Sequence, residues 1–211
     1  MRENFNRQLE RLNEELIVMG AMCEEAISCA VKYLTERDED MRVNAFQVER
    51  QIDRKEHEIE EYCMRLIRTQ QPVATDLRSI SIALKLIWDM ERIGDQTADL
   101  VEVGENLDLS KYKSNVHIVS MAKTTVAMVT DSIESFVKKD MEMAKDVIKT
   151  DDIIDSYFDK VKNEIIDLIK NDSDNVEHLV DLLMAAKYFE RIGDHAENIA
   201  NWVIYSITGK E

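Results

Sequence analysis

The sequence predicts an all-α protein whose six helices form two tandem, repeat-related three-helix bundles, and three observations carry that expectation. Five Gly and one Pro in 211 residues leave too little turn chemistry for an all-β fold, which needs turn residues roughly every 8 to 12 positions. Apolar residues follow the helical period almost without a break. The string Glu91-Arg-Ile-Gly-Asp95 recurs unchanged as Glu190-Arg-Ile-Gly-Asp194, 99 positions later.

The first helix is expected from about Phe5 to Arg37, with Asp38 or Asp40 placed to cap a second that runs to about Gln70. Gln71-Pro72 ends it, because proline removes a helix donor and clashes with the preceding turn. Asp76 lies near the start of a third helix reaching Asn106, and Leu107 to Asn115, with Ser110, Lys111 and Ser114, reads as the longest linker. A fourth helix is expected from about Val116 to Lys138. Asp140 caps a fifth ending near Lys170, and Asn171 to Asn175 turns into a sixth ending near Gly209. The two repeats are thus residues 1–107 and 108–211.

Against 43 Asp and Glu stand 27 Lys and Arg, a net charge of −16, which argues against nucleic acid as a partner. With 45% hydrophobic residues the chain has material for a real core, and disorder is excluded as its dominant state. Cys23, Cys29 and Cys63 form no C-x-x-C and leave one unpaired, so they read as core thiols of a reducing compartment. Lys85 and Asp89 interrupt the most apolar stretch, around Ile82 to Met90, and the charged N-terminus has no signal-peptide pattern. A soluble, cytoplasmic protein without direct membrane insertion is expected.

Beyond the repeated string, Leu84, Met90 and Leu100 match Leu183, Phe189 and Ile199 in character. At an offset of 102, Asp38, Glu49, Asp53 and Leu66 match Asp140, Asp151, Asp155 and Leu168. At about 100° per residue, Glu91 and Asp95 fall within about 20° of Leu84 and Leu77, so the acids continue an apolar stripe. Lys85, Asp89 and Arg92 are expected about 80° to 140° away, on the polar side. On the sixth helix Glu190 and Asp194 align with Val176, Leu179 and Leu183. On the second, Glu49, Asp53, Glu56 and Glu60 form a line of acids beside Ala45, Ile52, Ile59 and Cys63.

Like charges four residues apart repel, more strongly when partly desolvated, so something must neutralise them. The residues leave three answers open: Arg50, Arg54, Arg92 and Arg191 folding back as ion-pair partners, a solvated face, or a hard metal cation held by carboxylates of neighbouring helices. Gly94 and Gly193, mid-helix between the acids, each cost about 1 kcal/mol relative to Ala. They imply a close helix crossing, room for ligands, or both. His57 and His195 lie beside the acids and are not taken as ligands.

At Glu91-Arg-Ile-Gly-Asp95-Gln-Thr-Ala-Asp99 and Glu190-Arg-Ile-Gly-Asp194-His-Ala-Glu-Asn198-Ile-Ala, the sequence resembles the PhoU family of phosphate-uptake regulators. Pro72-Val-Ala-Thr-Asp76-Leu-Arg78 is similar to that family's other signature, and the resemblance covers essentially the whole chain. It implies tandem three-helix bundles, a homodimer or larger assembly, and multinuclear metal clusters on the acid motifs. It also implies a negative regulator of the phosphate-starvation response and of phosphate uptake. The implied partners are the sensor histidine kinase and the ATPase subunit of the phosphate ABC transporter. Carried over by position, the first cluster would use Glu49, Asp53, Glu91, Asp95 and Asp99, and the second Asp151, Asp155, Glu190 and Asp194. Asn198 stands where Asp99 is, and Lys187 where Trp88 is. The second site is therefore expected to be the weaker unless Glu197 or Asp152 substitutes. Asp76 has no second-half equivalent, and helix capping is its expected role.

The metal would be a divalent or multinuclear centre of Fe, Zn, Mn or Mg, since all-oxygen ligation does not select among them. A ferritin-like carboxylate protein needs Glu-x-x-His on two helices, and no His here has Glu three residues before it. With no H-E-x-x-H, phosphate loop or G-x-G-x-x-G, no enzymatic activity is expected. The remaining rival is an acidic helical scaffold with solvated carboxylates and no metal. As an adaptor, the chain would use metal-loaded acids to hold helices in register while an exposed helical face docks on its partners. Direct phosphate sensing is not expected of a −16 protein, although phosphate could ligate a bound metal.

Overall fold

The computed structural model describes residues 2–70, 72–107, 109, 117–171 and 176–209. Among them lie six α-helices: α1 (Arg2–Glu36), α2 (Glu39–Gln70), α3 (Ala74–Val103), α4 (Ile118–Lys138), α5 (Met141–Asn171) and α6 (Val176–Thr208). The third helix stops as an α-helix at Val103, three residues short of the expected Asn106, and closes with a 3-10 turn, Gly104–Asn106. The expected start of the fourth helix at Val116, most of the linker before it, and the turn at 172–175 lie outside the described residues.

Equivalent carboxylates cap equivalent helices. Asp38, rather than Asp40, caps α2: its Oδ1 accepts the Asp40 and Met41 N–H groups at 3.0 and 3.3 Å. Asp140 does the same for Glu142 and Met143 at 3.0 and 3.1 Å. The Asp76 carboxylate accepts the Val73 N–H at 3.2 Å, the capping role expected of it. Arg37, in the left-handed region with φ 57°, donates to the carbonyls of Gly104, Leu107 and Glu105 and ties the α1–α2 corner to the end of α3.

The two bundles are fused side by side. Helices α1, α3, α6 and α4 pack as a closed ring, with α2 against α1 and α3 on one side and α5 against α4 and α6 on the other. One apolar cluster runs through both halves and includes all three cysteines, Tyr33 and Phe189. Burial pushes the Cys63 thiol up to about 12, so it is an inert core group. α3 and α6 run antiparallel: residue 89 meets residues 195 to 202, while Asp99 acts electrostatically on Tyr188.

Asp89 departs from the wheel reading. It is 2% exposed, not on a polar face, because α3 is covered by α1 and α2 on one side and by α6 on the other. Its Oδ1 accepts from His195 Nδ1 at 3.0 Å and Asn198 Nδ2 at 3.1 Å, and its Oδ2 from Trp202 Nε1 at 3.1 Å. The apolar stripe leading to the acids is also less buried than its pattern suggests. Leu77 is 43% exposed and Leu84 half-buried, since the acids line the rim of the α2–α3 seam and not its floor.

Candidate metal centre

Each hairpin places its acids by a glycine crossing. A Cβ on Gly94 would lie 3.3 Å from Cδ1 and Cγ2 of Ile52, and one on Gly193 would lie 3.1 Å from Ile154 Cδ1. Ile52 and Ile154 are themselves repeat equivalents, so both hairpins close at the same point. The two expectations for these glycines coincide at Gly193, whose missing Cβ also leaves 3.3 Å to Asp151 Oδ1. The close approach brings the acids of neighbouring helices together.

In the first half Glu49, Asp53 and Asp95 each offer a carboxylate oxygen within 4.8 Å of the others. Oxygens on opposite sides of one cation, at about 2.0 to 2.4 Å each, lie at most about 4.8 Å apart, so these three fit around a single ion. The Glu49 carboxyl is held above its ordinary range by burial and by the Asp53 and Asp95 charges. Glu91 is raised by burial and by Asp95, and Asp99 by burial, Glu102 and Asp95. These two differ from the central three. Arg92, half-buried and not on the outer face, reaches Glu91 at 2.8 Å and Asp95 at 2.7 Å, while Asp99 also feels Arg191 of the second half.

In the second half Asp151 is the centre. Its carboxyl is pushed up to about 7 by burial and by the surrounding charges of Glu197, Asp194, Asp155 and Asp152, and its buried Oδ1 has no hydrogen-bond partner. Asp194 and Glu197 are raised as well, each by burial first and then by its acidic neighbours. Glu190 is paired with Lys187. Asn198, at the place of Asp99, turns instead to the buried Asp89. Glu197 therefore occupies the acidic surroundings that the first half fills with Asp99. The outcome of that substitution follows from the α6 register and not from the repeat alone.

Of the arginines weighed as neutralising partners, Arg92 folds onto the acids and Arg54 donates to the Arg50 carbonyl. His57 Nδ1 lies 2.9 Å from the Asp53 backbone carbonyl oxygen and 3.1 Å from Glu56 Oε2, and His195 is engaged by Asp89, so neither contact is with the carboxylates of Glu49, Asp53 and Asp95 or of the second half. The donor set is entirely carboxylate. A buried orphan oxygen and mutual repulsion between raised acids suit a hard cation, which would favour their ionised forms.

Comparison with known proteins gives one consistent result. The family model described as "PhoU domain" matches residues 16–103 and again 118–203. The chain is 36% identical over 212 residues to the phosphate-specific transport system accessory protein PhoU homolog of Clostridium acetobutylicum, covering 100% of this chain and 97% of the relative. It is 26% identical to the corresponding Escherichia coli protein, over 98% of this chain and 86% of the relative. The crystal structure of PhoU from Pseudomonas aeruginosa superposes with a TM-score of 0.89 at 28% identity, covering 98% of this chain and all of the other. PhoU from Streptococcus pneumoniae shares the fold, with a TM-score of 0.86 at 24% identity and 98% of each chain covered.

Proposed function

The chain belongs to the PhoU domain family, and on that premise we propose that it is a negative regulator of the phosphate-starvation response and of phosphate uptake. It acts as a metal-binding adaptor between the ATPase subunit of the phosphate ABC transporter and the sensor histidine kinase, in the cytoplasm and as a homodimer, with no catalytic step of its own. The observation that supports this reading is the doubled family match, with the Glu-Arg-Ile-Gly-Asp string in each half, over the length of relatives named as phosphate-specific transport system accessory proteins.

Glu49, Asp53 and Asp95, with Glu91 and Asp99 a turn away, would hold the first metal. Asp151, Asp155 and Asp194, with Glu190 and Glu197, would hold the second. A bound divalent cation of Fe, Zn, Mn or Mg supplies positive charge that offsets acids drawn from two helices. The chain's part is to fix α2 against α3, and α5 against α6, at the glycine crossings. One observation favours the metal-free alternative, an acidic scaffold: Arg92 already neutralises Glu91 and Asp95, and Lys187 neutralises Glu190.

A phosphate-starvation reporter at high phosphate tests the function. Deletion of the gene should switch the reporter on and the wild-type chain should silence it. Asp95→Asn combined with Asp194→Asn should fail to silence it if metal-loaded hairpins are the docking form, and should silence it fully if the scaffold alone suffices. A reporter unmoved by deletion would overturn the regulatory reading.

A further inference from the structure

The ring of four helices is incomplete at one end. α1 and α4 run antiparallel, with Gly20 close against Ile133 and Glu24 bonded to Thr130, so α4 ends at Lys138 opposite Glu14. α1 continues outward through its first three turns, alongside α3, with which it runs parallel from the Cys23–Met90 contact. α6 also continues past the level at which α4 stops, to Thr208. The place that α4 vacates is a half-open groove of about 920 Å³ between these ends. Leu12, Leu16 and Leu86 line its floor, with Phe136 half-buried and Ile207 exposed at its edges.

The walls of the groove carry opposite charges. Glu10 and Glu14 of α1 stand on one side, the Arg78 guanidinium reaches from α3 to the α6 end, against Gly209 and diagonally across the ring from α1, and Lys139 stands at the α4 terminus that closes the groove. Some cations of this chain are matched to acids three or four residues away, as in Lys138–Glu134, Lys145–Glu142 and Lys149–Asp146, and others, such as Arg37 and Arg54, bond backbone carbonyls. Among the described residues these four groove charges make no ion pair, and Arg78 rests over the Tyr205 ring.

We propose that this groove is a docking site for an amphipathic α-helix of a partner protein, one whose apolar face lies on the leucine floor with a basic flank against Glu10 and Glu14 and an acidic flank against Arg78 and Lys139. The shape of the space selects a helix, because the occupant completes a four-helix ring whose other three members are already in place. The two walls select mixed flanks over a helix of one sign, which would meet a like-charged wall. The proposal stands apart from the phosphate-regulatory reading and from metal binding, since none of these residues belongs to the acid clusters.

The test uses the full chain and three fluorescent peptides of about 14 residues, near the length at which helices become marginally stable in water. All share one leucine stripe, and their flanks are Lys and Glu, Glu on both sides, or Lys on both sides. Fluorescence anisotropy should show the mixed peptide binding about tenfold more tightly than either of the others, a difference of about 1.4 kcal/mol. That ranking runs against the net charge of −16, which by itself favours the all-Lys peptide. Glu10→Lys with Glu14→Lys should shift the preference to the all-Glu peptide, and Arg78→Glu with Lys139→Glu to the all-Lys one. The proposal is overturned if no peptide binds, if the all-Lys peptide binds best to the wild-type chain, or if the charge reversals leave the ranking unchanged. It is equally overturned if sedimentation shows that these reversals dissociate a dimer, since the groove is then filled by a second copy of the chain.

Discussion

Asp89 joins the two halves through a buried side chain. It is a buried carboxylate of α3 whose partners, His195, Asn198 and Trp202, all come from α6. Truncation leaves three donors without an acceptor in a closed interface. Asp89→Ala should therefore cost about 3 kcal/mol in urea unfolding, and Asp89→Asn, which keeps one acceptor, less. A change below about 0.5 kcal/mol for Asp89→Ala would show that water replaces the carboxylate without loss. The glycines make a second test. Gly94→Ala gains about 1 kcal/mol of helix propensity but sets its Cβ 3.3 Å from Cδ1 and Cγ2 of the fully buried, β-branched Ile52, whose displacement offsets that gain, so stability should barely move. Gly193→Ala places its Cβ 3.3 Å from Asp151 Oδ1 and should weaken metal binding in a calorimetric titration more than it changes the melting temperature. Equal metal affinity in the two glycine variants would contradict this.

Among the elements, the hairpin of α5 and α6 should show the acids most clearly through pH. An acid whose folded pKa lies above its unfolded value binds its proton more strongly in the folded state, so stability falls as pH rises between the two values. For Asp151 those are an ordinary value of 3.8 and about 7 in the fold, and Asp194 and Glu197 act in the same direction. The metal-free chain should thus lose stability from pH 4 towards pH 7, with Asp151→Asn flattening the profile. With a divalent cation present the trend should reverse, since the carboxylates bind it ionised. Thermal melts across that range, with and without the cation, check both signs. The helices themselves were legible because capping acids and long periodic runs agree: Asp38 and Asp140 stand where the period restarts. The burial of Asp89 was not, because a single-helix wheel assumes one buried face, whereas α3 packs against neighbours on both sides. Its position between the apolar Leu86, Ile87 and Met90 was the available signal. The acids at Glu49, Asp53 and Asp95 were legible from the repeat. The part of Glu197 depends on the α5–α6 register, and that of Arg92 on which way a half-buried guanidinium turns.

On the scale of the whole molecule, two copies of one hairpin-plus-helix unit share a core, and each presents an acidic cluster at the crossing of its glycine hairpin. A chain of net charge −16 that gathers carboxylates at two partly buried points carries self-repulsion that a cation would relieve. The first cluster is partly neutralised by Arg92 and the second by Lys187, and each keeps a buried carboxylate oxygen without a hydrogen bond, Glu91 Oε2 and Asp151 Oδ1. The most direct measurement is therefore the metal content of the chain by elemental mass spectrometry after chelation and reloading, taken with its melting temperature. Wild type, Asp95→Asn, Asp194→Asn and the double variant would be compared. The wild type should retain metal and melt higher when loaded, each single variant should lose part of the metal, and the double variant should lose most of it and the thermal gain. A wild-type chain that holds no metal above buffer level, or a double variant that loads like the wild type, would contradict this.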